Sequence, residues 1–499
     1  MKKSIFIIIF IFALLLRIGL ISQKDGLFWD EIVNITTSNH VEYYQDRINY
    51  FKLNHPYTGK ELKQLFLFDD KNDTLQDLKS LRNGTGDVLH TNFYYSVFRI
   101  FFHGVDDYNL NEYLIRAGLL NIILFGFSYF FMYKLLNMLF DDKKYVALGL
   151  FLAFCNPCAI LNTIYFRLYQ MQEMLFVMMA YLGVKNYNTS KKLTLKNVAL
   201  WSLLTAMILL TGYYAMVYVG LVYLTIMLIS RNKDTFKFLS VCAALSVLLV
   251  LLVYPSYLDF LIMTVFKPDS THIATIETVA KTPLIAQIFN MFNYPLTIYK
   301  GICSQLLFLY FIIIGLMLCK RPICQSKAMW VITTISVVWG VIVLMTCPYK
   351  IIRYVLPVIP LCTIILTWIL QNYDSKKHNT FVCIVIMLNV FWMGLNTFKD
   401  FGGIGFSNIK IDTNDWVFEQ NPSLPVYLNS INKDNLVMWI THFPDEQKYI
   451  FISSDAEIKD KHFYLIFDTR KKPSFERDEV LKLQRLYSDE VFCIEVLQK

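Results

Sequence analysis

Residues 4–38 read SIFIIIFIFALLLRIGLISQKDGLFWDEIVNITTS. An apolar run long enough to cross a bilayer is followed, after a short polar turn, by two adjacent carboxylates, Asp30 and Glu31. The run sets a pattern that recurs along the chain. The 499 residues are 55% hydrophobic with a mean hydropathy of +0.42, whereas soluble globular chains are about 45–50% apolar. This is a membrane-protein composition, and the lipid bilayer is the first partner it implies. Met-Lys-Lys ahead of the run imitates a signal peptide, but Arg17 interrupts it and no small-x-small cleavage site follows. The segment therefore reads as an uncleaved first span. Net charge is +8, without a basic stripe of the kind that binds nucleic acid. In a membrane protein the position of Lys and Arg matters more than their sum.

Apolar runs of about 17–25 residues lie at roughly 4–22, 115–139, 145–163, 168–184, 196–211, 213–230, 238–256, 297–319, 328–346, 354–371 and 380–397. They predict a mainly α, polytopic protein of about eleven transmembrane helices, with the least secure division at Tyr213. With Lys2 and Lys3 inside, the even-numbered spans end inside, and four of the five resulting inner loops are short and basic. These are 185–196, 231–237, 320–327 and 371–379; only 141–144 is neutral. The chain is thus expected N-in and C-out. Outside lie a first loop, 23–113, a medium loop, 257–296, and a tail. The expected division is a membrane domain, 1–397, and a small extracytoplasmic α/β domain, 398–499. In the tail, 424–428, 436–440, 449–453, 462–467 and 491–496 read as strands, separated by polar or helical stretches such as 476–486. In the first loop, 29–51 reads as a helix, and the aromatic 93–102, too short to span, suits the membrane interface.

Nearly all of the ten cysteines sit in or beside apolar runs, which is not a disulfide framework. Cys155 and Cys158 form a CxxC inside such a run, where thiol redox chemistry has no polar, reachable site.

Asp30 and Glu31 stand at the outer mouth of a membrane helix. Carboxylates there are costly unless they face water, a cation or a substrate, and neighbouring helix positions point about 100° apart. One can face a reaction while the other binds a partner; the ordinary alternative is an acidic helix N-terminus favoured by the dipole. The expected topology puts further candidates on the same side: His90, Arg116, Arg167 with Tyr169 in FRLY, and Lys350, Arg353 and Tyr354 in PYKIIRYVLPVIP. For a lone Arg the ordinary reading is interfacial snorkelling. Carboxylates and cations together suit a reaction with a phosphate leaving group: the cations stabilise the phosphate as it departs, and a carboxylate takes the proton of an incoming hydroxyl.

These pieces, in order, resemble the GT-C superfamily of membrane glycosyltransferases, in the branch of protein O-mannosyltransferases and aminoarabinose transferases. The matching pieces are LLLRIGLI with Arg17, Asp30-Glu31, His90 and the YY of FYYSVF, Arg116, FRLY, and RYVLPVIP with Arg353, Tyr354, Pro357 and Pro360. They cover most of residues 1–370. The resemblance implies an enzyme that transfers a sugar, with inversion, from a polyprenyl-phosphate donor to a glycolipid, glycan or protein acceptor outside the cell (inner) membrane. It implies Asp30 as the base, with Glu31 beside it, and an extracytoplasmic C-terminal domain. The chain departs from the pattern at Thr91-Asn92, where relatives carry prolines, and at Gly212, where they often carry His. The sequence assigns no cofactor; a divalent metal is compatible with the carboxylates and His90, although no two-His ligand spacing is present. An O-antigen ligase or polymerase would carry its large outer loop late in the chain. A transporter or flippase would show paired repeats and broken helices about a midplane site, and no repeat is evident. A non-catalytic membrane scaffold would be indifferent to loss of Asp30.

The alternation of basic loops generates a direct test. A single cysteine introduced into the tail is expected to react with an impermeant thiol reagent in intact cells, and one placed in 185–196 only after permeabilisation. The reverse pattern would overturn the orientation.

Overall fold

The computed structural model describes residues 4–24, 26–39, 51–68, 73–85, 91–105, 107–188, 194–259, 262, 327–346, 352–372, 378–399, 421–429, 440–441, 443–468, 480–487 and 491–497. The first helix, α1 (Ser4–Ile21), turns Ile7, Ile8 and Leu15 outward and buries Ala13, Arg17 and Leu20. An apolar face turned outward is what a lipid-facing helix needs, and the inward Arg17 is the exception that requires a cause.

The cause is a break in a later span. Where one span was expected at 145–163, α7 (Lys143–Phe154) and α8 (Pro157–Ile164) meet at 55°. Pro157 has no N–H to continue α7 and suits the first turn of a new helix. Asn156 caps that helix by accepting from the Ala159 N–H at 3.0 Å. Carbonyls freed by a break inside a membrane must find donors. Asn156 donates to Leu152 O and Ala153 O, and Arg17 donates to Phe154 O at 3.1 Å and Ala159 O at 3.0 Å. The Arg17 guanidinium also bonds Thr163 and its own helix at Ala13 O, and lies 3.9 Å over the Phe125 ring.

The remaining helices are α6 (Leu110–Leu139), α9 (Tyr169–Asn188), α10 (Leu195–Leu209), α11 (Tyr213–Ser230), α12 (Lys233–Val253), α13 (Lys327–Thr346), α14 (Ile359–Asn372) and α15 (His378–Lys399). A 3₁₀ segment, Ile352–Val358, leads into α14. Gly212, at φ +137°, makes the division between α10 and α11, a backbone conformation that favours glycine. Among the described residues six helical stretches are long and apolar enough to cross a membrane, or seven with the bent pair α7–α8. The expected spans at 168–184, 196–211 and 380–397 are helical but do not meet that standard as written; α10 has only 15 residues. The expected span 297–319 lies outside the described residues.

The first loop folds on itself and onto the tail. Helix α2 (Trp29–Ser38) is shorter than expected, and residues 40–50 lie outside the description. Strand β1 (Pro56–Thr58) runs into α3 (Gly59–Leu67), capped by Thr58 and Glu61 reciprocally. Helices α4 (Thr74–Asn83) and α5 (Phe93–Phe101) follow. Helix α5, expected to lie in the interface, buries Tyr94, Tyr95 and Phe98, and its Arg99 pairs with Asp77 of α4 at 2.7 Å.

The tail contributes β2 (Val426–Asn429), β3 (Lys448–Ile452), β4 (His462–Asp468), β5 (Val480–Tyr487) and β6 (Val491–Leu497). The mixed sheet has the order β1-β3-β2-β4-β6-β5, parallel at β3-β2 and β2-β4 and antiparallel elsewhere. One expectation is corrected and one feature was not foreseen. The stretch read as polar or helical holds the edge strand β5. The tail also does not close its own sheet: β1, from the first loop, forms the other edge, with Pro56 opposite Ile450. Of the strand expected at 436–440, only Ile440 is described.

The docking of β1 has one tight point. A Cβ on Gly59 would lie 2.0 Å from Pro444 O and 2.8 Å from Pro444 C, backbone atoms that no side-chain rotation relieves. Gly59→Ala is expected to lower stability by about 1–3 kcal/mol and to expose the tail to limited proteolysis. Thermal unfolding indistinguishable from wild type would mean that the first loop and tail are not seated this closely.

Candidate active site

The break between α7 and α8 delivers the chain at Ile164 into a short connection, residues 165–168, before α9. Asn121 of α6 fixes it by donating to Thr163 O at 2.8 Å and Tyr165 O at 3.2 Å. The connection lies against the start of α2, and backbone groups join the two. Phe166 N–H donates to Glu31 Oε1 at 2.8 Å, and Phe166 O accepts from Asn34. Arg167 donates to Asp30 O at 3.1 Å, Asn34 Oδ1 at 2.7 Å and the Tyr95 hydroxyl at 3.3 Å.

The two adjacent carboxylates point to different partners. Glu31 is fully buried and accepts from Lys24 Nζ at 2.6 Å, Phe28 N at 2.7 Å and Phe166 N at 2.8 Å. Lys24 also donates to Ile164 O and lies over the Phe166 ring. Burial pushes the Lys24 ammonium below its ordinary pKa, against the opposing pull of Glu31. Tyr113 of α6 closes the same corner by donating to Glu31 O.

Asp30 faces the other way. Its carboxylate accepts from the Tyr165 hydroxyl and forms an ion pair with Arg353. Arg353 also donates to the Tyr165 oxygen at 3.0 Å, so the three groups form a closed triangle. Burial, opposed by Arg353, pushes the Tyr165 hydroxyl well above its ordinary pKa, which keeps it a donor to Asp30. Aromatic rings wall the guanidinium: Phe28 and Tyr165 at 5.8 Å and Tyr354 at 5.2 Å. Tyr169 stacks on Tyr165 and meets Tyr354 edge-on. A carboxylate that can accept a proton, a guanidinium with the fork geometry for phosphate and aromatic walls thus meet at the end of the first span.

Of the residues proposed from sequence, Asp30, Arg167, Tyr169, Arg353 and Tyr354 come together, with Glu31 alongside as an anchor. Arg116 is elsewhere: it pairs with Glu112 at 2.7 Å and bonds Phe101 O and His103 O, so it holds the end of α5. His90 and Lys350 lie outside the described residues. Sequence reasoning did not assign Tyr165, Lys24, Asn34 or Phe28. Two had a signal: Lys24 is the one cation between the first span and the acidic pair, and Tyr165 is in the same TIYFRLYQ as Arg167. Among the described residues no group of three His, Cys, Asp or Glu is placed to hold a metal ion.

No protein-family model and no curated protein matches the chain. Solved structures do. ArnT from Cupriavidus metallidurans, bound to undecaprenyl phosphate, aligns over 99% of this chain and 98% of its own with a TM-score of 0.54 at 10% identity. The Archaeoglobus fulgidus oligosaccharyltransferase, in complex with Zn and sulfate, aligns more loosely, at TM-score 0.48 and 12% identity over 92% of this chain and 68% of its own. AglB from the same organism, with an inhibitory peptide and a dolichol-phosphate, aligns at TM-score 0.43 and 10% identity over 94% and 70%. The full-length match to ArnT shows a shared fold, a polytopic helical body with a small mixed sheet. The resemblance drawn from sequence is met at that level.

The buried Lys24–Glu31 pair gives a stability test. Lys24→Met leaves Glu31 charged and without its cation, and should cost about 3–5 kcal/mol. Adding Glu31→Gln should recover part of the loss, because it removes the stranded charge. If Lys24→Met unfolds at the wild-type temperature in the same detergent, Glu31 is not the anchor described.

Proposed function

We propose that the chain is an inverting glycosyltransferase that moves a sugar from a polyprenyl-phosphate donor to a hydroxyl group of a glycolipid, polysaccharide or protein on the extracytoplasmic side of the cell membrane. The observation that carries this reading is the triangle of Asp30, Tyr165 and Arg353 at the end of the first span. A prenyl-linked phosphate sits at headgroup depth, where the ends of membrane helices meet water. The ArnT structure of the same fold, bound to undecaprenyl phosphate, supports a lipid phosphate as the ligand class.

The chemistry follows from the groups present. The acceptor oxygen attacks the anomeric carbon from the face opposite the phosphate, and its proton passes to Asp30. The bond between the anomeric carbon and the phosphate oxygen breaks, and its electron pair leaves with the polyprenyl phosphate. Arg353 stabilises the charge that develops on that phosphate. Arg167 positions: its donors go to Asp30 O and Asn34, which fixes the backbone from which the Asp30 side chain projects. Glu31 anchors the same turn. Much of the rate comes from holding donor and acceptor in register. A transporter or flippase is less well supported, since a carrier has no use for a base held beside a phosphate-binding cation.

Asp30→Asn keeps shape and removes basicity. It should lower single-turnover sugar transfer by about 10²–10⁴-fold, roughly 3–5 kcal/mol of barrier. The assay is purified enzyme in nanodiscs with a panel of prenyl-phosphate sugars and an extract of envelope lipids as acceptor. Turnover within a few-fold of wild type would place the base elsewhere.

A further inference from the structure

Asp30 is not ready to act as a base in the arrangement seen. Its carboxylate is held by the Arg353 guanidinium and the Tyr165 hydroxyl, and both Asp30 and Arg353 are more than nine-tenths buried. The oxygen that would receive a proton, Asp30 Oδ2, is occupied by both of these donors. Arg353 is equally engaged: the charge that a phosphate would use is directed at Asp30. The two roles proposed for these residues therefore exclude each other while the ion pair is closed.

We infer that this ion pair is a latch, opened by the phosphate of the lipid donor. The inference rests on the reading of the site given above. A phosphate oxygen pair matches the guanidinium fork and competes with a carboxylate for it. The surroundings suit a short movement of Arg353. Phe28, Tyr165 and Tyr354 present rings to the guanidinium, and ring faces attract a cation without fixing one hydrogen-bond direction. The Tyr354 hydroxyl, 3.5 Å from Nη2, offers an alternative acceptor beside the path. Once Arg353 turns to the phosphate, Asp30 keeps Tyr165 as its orienting donor and has room to receive an acceptor's proton. Glu31 is built oppositely: two backbone N–H groups and Lys24 hold it, so only one of the adjacent carboxylates is switchable. The consequence is a compulsory order. Donor binds first, and Asp30 deprotonates no acceptor until a phosphate has taken Arg353.

The test uses the full chain and undecaprenyl phosphate alone as the probe. If the latch is closed in at least nine molecules of ten, abolishing it restores the binding-competent fraction, and Asp30→Asn should bind the probe at least about tenfold more tightly than wild type. Glu31→Gln removes the same charge one residue away and should tighten binding well under tenfold. That comparison separates release of a latch from relief of general repulsion. Should Asp30→Asn fail to fold, the wild-type chain in bilayers answers the same question by solid-state NMR. The Arg353–Asp30 nitrogen–carbon contact should be lost on saturation with undecaprenyl phosphate while an arginine–³¹P contact appears. The Arg99–Asp77 contact should persist as reference. Equal affinities for wild type, Asp30→Asn and Glu31→Gln, or an Arg353–Asp30 contact that survives beneath bound phosphate, would overturn the latch. The site reading fails differently: Asp30→Asn would then turn over like wild type. An inactive Asp30→Asn that binds no more tightly removes the latch and leaves the reading of the site standing.

Discussion

A break in a membrane helix leaves carbonyl groups that lipid cannot satisfy, and in this chain Asn156 at the break answers two of them while side chains from other helices answer the rest. Arg17 reaches from α1 to Phe154 O and Ala159 O on either side of the bend. Behind it runs a buried polar chain. Arg17 donates to Thr163, Thr163 to Gln170, and Gln170 to Glu173, which also accepts from Ser128 and Asn162. Bonds of this kind strengthen one another at low dielectric and are expensive to leave half made. The network therefore fixes where α8 ends and where the connection to α9 begins.

What that connection carries is the candidate site. Tyr165, Phe166 and Arg167 reach the start of α2 in one short stretch, and each binds it through a different group: a hydroxyl, a main-chain amide and carbonyl, and a guanidinium. The adjacent carboxylates divide the labour. Glu31 is saturated with donors and locks α2 to the connection. Asp30, turned to the other side, meets Arg353, more than three hundred positions later in the chain, on the 3₁₀ stretch that contains Pro357. The rigid half of the pair thus positions the half proposed as the base, an arrangement that pre-organised chemistry needs.

Much of this was legible in the sequence, and the exceptions have physical causes. The apolar runs announced a polytopic helical protein, because lipid imposes a strong compositional signal on any helix that faces it, and the Asp30-Glu31 pair marked where the candidate site gathers its side chains. The bend at Asn156-Pro157 was passed over because the apolar run around it is long enough to span, although a proline after a capping residue is itself a sign of a new helix. Strand β5 was misread because register shifts between Val480 and Lys482 and between Arg485 and Tyr487 disturb the two-residue alternation. What remains, Leu, Lys, Gln and Arg, is composed of good helix formers. Strand β1 is three residues long and pairs with a segment nearly four hundred positions away, so no local pattern could reveal it. Arg116 had the right side and spacing for the site, yet it caps α5 instead: position along a span does not say which way a side chain turns.

The first loop joins membrane body and sheet. It supplies the site helix α2, the buried α5 whose Tyr95 bonds Arg167, and the strand that completes the tail sheet. A tail built this way shares its sheet with the loop that carries Asp30. The central claim is that the end of the first span receives a lipid phosphate at Arg353 and presents Asp30 to an acceptor. The most direct measurement is a cryo-electron microscopy structure of the full chain in lipid nanodiscs with undecaprenyl phosphate. The account predicts phosphate density in hydrogen-bond reach of the Arg353 guanidinium, beside Tyr165 and Tyr354, with Asp30 released from Arg353. Phosphate density at another helix end, with Arg353 still paired to Asp30, would contradict it.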